Sequence, residues 1–195
     1  MPAYNEEAGI VKVVDEWYAV IKSIGDGSKL IIFNDGSTDN TLDVLNNIKN
    51  KYPDLIIMNK ENTGHGPTCT MAYQYAVAEG ADWIFQTDSD GQTKSDDFYR
   101  FWEKRNSYDF IIGWRTKRKD SSERRFITQI LKWTLFVIFK VVVKDANAPF
   151  RLMKSNHLCR YLPLIPADFF LSNVLLSVMF MTNKENVLWQ EIEQN

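Results

Sequence analysis

From Glu7 to Ile24 the apolar residues Ile10, Val13, Val14, Trp17, Val20, Ile21 and Ile24 recur at helical spacing, which predicts an amphipathic helix with one buried face. Lys29 to Asn34 then reads as a strand, because the continuous run Leu30-Ile31-Ile32-Phe33 ends at Asn34-Asp35-Gly36, as for a parallel strand covered on both faces. Ser37-Thr38-Asp39 offers caps for a helix over 41–51, which Pro53 stops. Further on come a strand over 55–59, a glycine-bounded turn at Asn62-Thr63-Gly64-His65-Gly66-Pro67, a helix over 68–79 and a strand at Trp83-Ile84-Phe85-Gln86. Such alternation predicts an α/β fold, Rossmann-like, with a mostly parallel sheet, right-handed crossovers and ligands at the carboxyl ends of the strands.

The pattern is less regular afterwards. Residues 98–104 read as helix and 108–113 as strand, and a polar, basic stretch over 114–125 as a loop. The apolar run from Leu131 to Val143 contains Lys132 and Lys140 and falls short of the roughly 20 residues of a spanning helix. Two readings of it stand: a buried core helix, the commoner, or a segment in the membrane interface with its lysines turned outward. A helical run covers 169–181, and 187–192 looks like a strand just begun. The Pro2–Glu7 turn is expected to follow a first strand absent from the chain, so residues 1–195 are expected to be a single catalytic domain lacking that strand and a C-terminal continuation.

A length of 195 residues at 45% hydrophobic composition suits one domain with a real core. A net charge of -2 provides no basic field for nucleic acid, so partners must be recognised locally. Cys69 and Cys159 form no Cys-x-x-Cys pair and read as ordinary thiols. With no basic-then-apolar leader in view, the expected location is cytoplasmic, extending to the inner face of the membrane if the acceptor is a lipid. Oligomeric state is not legible.

The candidate chemistry gathers at strand ends. Asp88-Ser89-Asp90 follows the strand at 83–86, and its two carboxylates can hold magnesium or manganese, the rest of the shell being water and phosphate oxygens. Read alone, the same residues make a capping acidic loop. A calcium loop does not fit, because its first position would be Gln86. Asp35 and Asp39 bracket a turn and cap, yet at the same sheet edge they could accept hydrogen bonds from a base or ribose. Gly64-His65-Gly66 could open backbone amides to phosphate, although a lone histidine is more often a surface residue.

Pro2-Ala3-Tyr4-Asn5-Glu6-Glu7, Asn34 through Asp39, Gly64-His65-Gly66 and Asp88-Ser89-Asp90-Gly91-Gln92, in that order, resemble the family 2 glycosyltransferases of GT-A fold. Arg124-Arg125 and Asp145 through Phe150-Arg151 resemble the acceptor side of their dolichyl-phosphate mannose synthase and polyprenyl-phosphate glycosyltransferase group. This resemblance implies that Pro2, Tyr4 and Glu6 flank the nucleotide, Asp35 meets the base, Asp88 approaches ribose and metal, and Asp90 ligates the metal, with Gln92 beside sugar or acceptor. His65 stands where a lysine is common, and Asn147-Ala148-Pro149 replaces a Ser-Gly pair. A UDP or GDP sugar is the implied donor, and a polyprenyl phosphate or a cell-envelope glycan the acceptor. An acceptor hydroxyl would need a base, for which Asp145 is the candidate; a lipid phosphate would need cations, for which Arg115, Arg124, Arg125 and Arg151 are candidates. A sugar-nucleotide pyrophosphorylase would need a glycine-rich, lysine-bearing loop near the start, and none is present. The alternative to an enzyme is a degenerate domain that binds nucleotide without transfer.

Overall fold

A computed structural model describes residues 1–25, 27–115, 122–145 and 147–193, the side chains of 122–128 excepted. Its elements are β1 (Pro2–Ala3), α1 (Ile10–Ile24), β2 (Leu30–Asp35), α2 (Thr41–Ile48), β3 (Leu55–Lys60), α3 (His65–Ala78), β4 (Trp83–Gln86), α4 (Asp97–Lys104), β5 (Phe110–Arg115), α5 (Ser122–Phe139), β6 (Arg151–Lys154), α6 (Ser155–Leu158), α7 (Ser172–Thr182) and β7 (Val187–Ile192). The strands order as β1-β2-β3 and β4-β6-β5-β7. Pairing is parallel for β1–β2, β2–β3 and β5–β7. It is antiparallel where β6 inserts between β4 and β5.

Apolar periodicity explains the first half. Ile10, Val13, Val14, Trp17 and Val20 form the buried stripe of α1, and Trp17 packs with Phe85, Phe98 and Phe150 in an aromatic cluster beneath β4. Five differences from expectation arise. Pro2 and Ala3, read as part of a turn, pair with Phe33 and Asn34 as a strand. Between β2 and β4 lies a cavity of about 570 Å³ lined by Trp17, Ile31, Tyr73, Ala76 and Phe85. The helix expected from residue 68 begins at His65, because the amides of Thr63 and Gly64 are taken by Asp35 ahead of it. The loop expected over 114–125 is strand to Arg115 and helix from Ser122, with 116–121 outside the described residues.

The fourth difference is β6. Arg151-Leu152-Met153-Lys154 is short and bounded by cations, so no apolar run announces it, yet Leu152 and Met153 are buried between β4 and β5. Nor is the apolar segment a core helix. Leu135 is covered, together with Val141, Val143, Val174 and Val178, while Ile130, Trp133, Phe136, Val137, Ile138, Phe139 and Val142 are exposed, Trp133 by 70%. No helix among the described residues is long and apolar enough to cross a membrane.

Candidate donor and acceptor sites

Three turns converge at the carboxyl ends of β1, β2 and β4. The first, Tyr4 to Gly9, is stitched to the second: Asn5 N donates to Ser37 Oγ at 3.0 Å, Thr38 N to Asn5 Oδ1 at 2.8 Å, and Glu6 N to Thr41 Oγ1 at 2.7 Å. Asp39 serves in this seam, accepting from Glu7 N at 3.2 Å and Thr41 N at 3.0 Å, so its placement is that of a cap and brace. Pro2 is buried, while the Tyr4 ring is 46% exposed at the rim.

Asp88 and Asp90 follow β4. Ser89 is buried between them, Thr87 Oγ1 meets Thr93 Oγ1 at 2.9 Å, and Gln92 N donates to Asp90 Oδ1 at 3.0 Å, closing the loop around Gly91 with its φ of 67°. Below, the Tyr73 hydroxyl lies 2.6 Å from Gln86 Oε1 and 2.8 Å from Asn173 Oδ1, tying the end of β4 to α3 and α7. The site is strongly anionic: burial, then the charges of Asp90, Asp39 and Asp88, push the Glu6 carboxyl up from its ordinary value. A divalent cation would relieve that repulsion, and an all-oxygen donor set suits magnesium or manganese, so the residues fit the implied metal.

His65 enters this group from the N-terminus of α3, its Nε2 3.1 Å from Asp88 Oδ1 and its ring against Cys69 Sγ at 3.7 Å. Burial works against its charge, but the Asp88 hydrogen bond and the Cys69 contact prevail and push the imidazole up to about 10 from 6.5. The sign follows from linkage: a raised histidine pKa contributes stability that is complete below about pH 6.5 and is lost as pH climbs toward 10. In the metal-free protein, His65→Ala is expected to flatten the pH dependence of Tm across that window. An unchanged slope would show that the pair does not form in solution.

Asp35 is placed differently from a base-reading carboxylate at an open edge. It is buried, with Oδ1 accepting from Thr63 N at 2.9 Å and Oδ2 from Gly64 N at 3.0 Å, and it is paired with Lys60. Burial alone would raise its pKa; the Lys60 ammonium and the backbone amide of Thr63 hold it below the ordinary carboxylate value.

On the acceptor side, Arg115 at the end of β5 meets Asp145 at 3.2 Å, so the candidate base is the counter-ion of a candidate acceptor cation. Arg124 and Arg125 lie on α5, with side chains outside the described residues. Arg151 requires a correction. It is fully buried, its Nε and Nη2 donating to Ala148 O at 3.0 and 2.7 Å and its Nη1 to Asn173 O at 3.2 Å, so it braces the backbone at Ala148 and Asn173 instead of presenting a cation to an acceptor.

Lys60, Tyr73 and Asn173 went unnoticed in sequence reading, and Gln86 entered it only as a strand residue and the ill-fitting first position of a calcium loop. Lys60 resembles any solvated lysine until the β2–β3 register sets it opposite Asp35. A separate cluster, Asp109, His157 and Glu185, sits at the opposite end of β5 from the acidic loop. His157 bridges it, Nδ1 2.9 Å from Glu185 and Nε2 3.5 Å from Asp109, while Lys154 pairs with Asp109 and Arg160 with Glu185, so both carboxylates have partners within the protein.

A family model described as Glycosyl transferase family 2 matches residues 1–159. Among curated relatives, a dolichyl-phosphate beta-glucosyltransferase (ALG5A) of Trichomonas vaginalis is 31% identical over 168 residues, covering 78% of this chain and 51% of its own length. An undecaprenyl-phosphate 4-deoxy-4-formamido-L-arabinose transferase of Pseudomonas paraeruginosa is 24% identical over 157 residues, covering 80% and 46%. The chain thus spans about half the length of the curated relatives it matches. Glucosyl-3-phosphoglycerate synthase from Mycobacterium tuberculosis superposes with a TM-score of 0.70 at 15% identity, covering 100% of this chain and 69% of that one, which places the fold with the GT-A transferases.

Proposed function

Since the chain belongs to glycosyl transferase family 2, we propose that it moves a sugar from UDP-sugar to a polyprenyl phosphate at a membrane surface, using magnesium or manganese held by Asp88 and Asp90. The observation that carries this reading is the anionic group at one sheet edge, Glu6, Asp88 and Asp90, with the His65 ring 3.1 Å from Asp88. Its chemistry matches a diphosphate carried on a divalent cation. Support for the donor comes from the Mycobacterium tuberculosis synthase, solved with Mn2+ and uridine-diphosphate-glucose. Support for the acceptor comes from the names of the two curated relatives, which specify dolichyl and undecaprenyl phosphate.

When bound, the metal supplies Lewis-acid neutralisation of the charge that grows on the departing diphosphate, so no protonated side chain is needed as leaving-group acid. Asp88 and Asp90 would hold that cation, Tyr4 would lie along the nucleotide, and His65 would face the diphosphate. Attack comes from a lipid phosphate oxygen, already an anion at neutral pH, so Asp145 need not act as a base and instead orients Arg115 toward the acceptor.

The exposed face of α5 is the membrane contact in this reading. It presents Trp133, Phe136, Val137 and Ile138, with the exposed Lys140 at its end, the composition of an interfacial helix. The test pairs this chain with vesicles of zwitterionic or anionic lipid containing polyprenyl phosphate, labelled UDP-glucose and manganese. Label is expected in the lipid phase, and Trp133→Glu with Ile138→Glu is expected to reduce the vesicle-bound fraction about tenfold or more, since both charges would have to leave water. Label transferred equally well by the double variant would dismiss α5 as the contact. Transfer from GDP-sugar instead of UDP-sugar would correct the donor.

A further inference from the structure

We propose that Asp35 and Lys60 are a positioning pair that holds the Thr63–His65 turn against Asp88, and that Asp35 does not read the nucleotide base. The inference rests on the donor-site reading above and adds to it two residues with a stated task.

Register brings the pair together: Asp35 and Lys60 are the last partners of the parallel β2–β3 ladder, so two charges point into the same niche at the sheet edge. Their side chains are 6% and 11% exposed. A carboxylate offers about four acceptor positions. Here Lys60, Thr63 N and Gly64 N occupy three, and burial leaves no open face for a base. The ammonium is equally committed, donating to Glu61 O at 2.6 Å, Thr63 Oγ1 at 2.7 Å and Thr68 Oγ1 at 3.1 Å besides Asp35. Every one of those partners lies in the turn or in the first residues of α3. A buried charge pair of this kind costs desolvation, and its return is a defined geometry.

That geometry is demanding. Gly64 has φ of 91°, a conformation open to glycine and rarely adopted by other residues, and its amide is held by Asp35 Oδ2. Across the niche Gly36 has φ of 62°, and a Cβ there would come within 2.6 Å of Asn62 N, so the two turns fit backbone to backbone. His65 is the next residue after Gly64, and its Nε2 lies 3.1 Å from Asp88 Oδ1.

The test compares the unaltered chain with Asp35→Asn, Lys60→Met and the double variant. Calorimetry reads manganese-dependent UDP and GDP binding, steady-state assays read donor and acceptor KM, and hydrogen exchange reads the amides of Thr63 and Gly64. Both single variants are expected to weaken UDP and GDP by one common factor, between about 10- and 100-fold, the usual consequence of a misplaced contact. The UDP-to-GDP ratio and the acceptor KM stay as they were, and the double variant is no worse than the weaker single variant because the two side chains act as one unit. Protection of both amides is lost in Asp35→Asn. A ratio that changes in Asp35→Asn while Lys60→Met binds like the unaltered chain would overturn the proposal and return Asp35 to the base. If the unaltered chain binds neither nucleotide, the donor reading fails; amide exchange, which needs no nucleotide, still decides the pair's role, and equal protection in all the proteins overturns it.

Discussion

Asp90→Ala is expected to lower manganese-dependent UDP binding about 100-fold or more, because even an outer partner of a metal ligand is worth 10- to 100-fold and Asp90 is a ligand in this reading. The fold should not suffer. Asp90 is exposed, and its carboxylate accepts a local hydrogen bond from Gln92 N. Surface changes of this kind stay within about 0.5 kcal/mol, and removing one charge from a group that already raises the Glu6 pKa relieves repulsion. The two quantities therefore separate: calorimetric affinity collapses while Tm holds or rises slightly. Retention of metal-dependent affinity in a folded Asp90→Ala protein would move the metal away from the acidic loop and remove the central support of the proposed activity.

Arg151→Ala should do the reverse, acting on stability before activity. The guanidinium is completely buried and serves Ala148 O and Asn173 O. Truncation opens a cavity the size of a large side chain and strands buried carbonyls, which together cost about 3–5 kcal/mol. For a domain of this size that corresponds to a Tm lower by roughly 6–20 °C. Arg115→Ala provides the contrast: its partner is Asp145 at 3.2 Å and its side chain retains 18% exposure, so the expected effect falls on acceptor KM with less loss of Tm. Should Arg151→Ala melt like the unaltered chain and lose only the lipid acceptor, the arginine would be a ligand-binding residue after all.

Much of the fold was legible because it follows local rules. Ile10 through Val20 announced α1 by period, Leu30 through Phe33 announced β2 by an unbroken apolar run, and Asp88 and Asp90 announced themselves by standing at the end of a buried strand. The misses share a different cause. α3 starts three residues earlier than its apolar pattern because Asp35, thirty residues before His65, captures the preceding amides. The α5 segment carries enough apolar residues for a core helix, and only packing reveals that Leu135 faces α7 while Trp133 and Ile138 face outward.

The sequence by itself determined the elements of the first half, the α/β class and the placement of the acidic residues at carboxyl ends of strands, since period, strand composition and turn chemistry depend on neighbours within a few positions. Tertiary structure alone decided which charges pair. Lys60 meets Asp35 through strand register, Arg151 disappears into the core because β6 runs antiparallel between β4 and β5, and His65 meets Asp88 across 23 positions of chain. The physical reason is range: an ion pair or a buried hydrogen bond is specified by distance in space, and sequence spacing does not encode that distance until register and packing have set it.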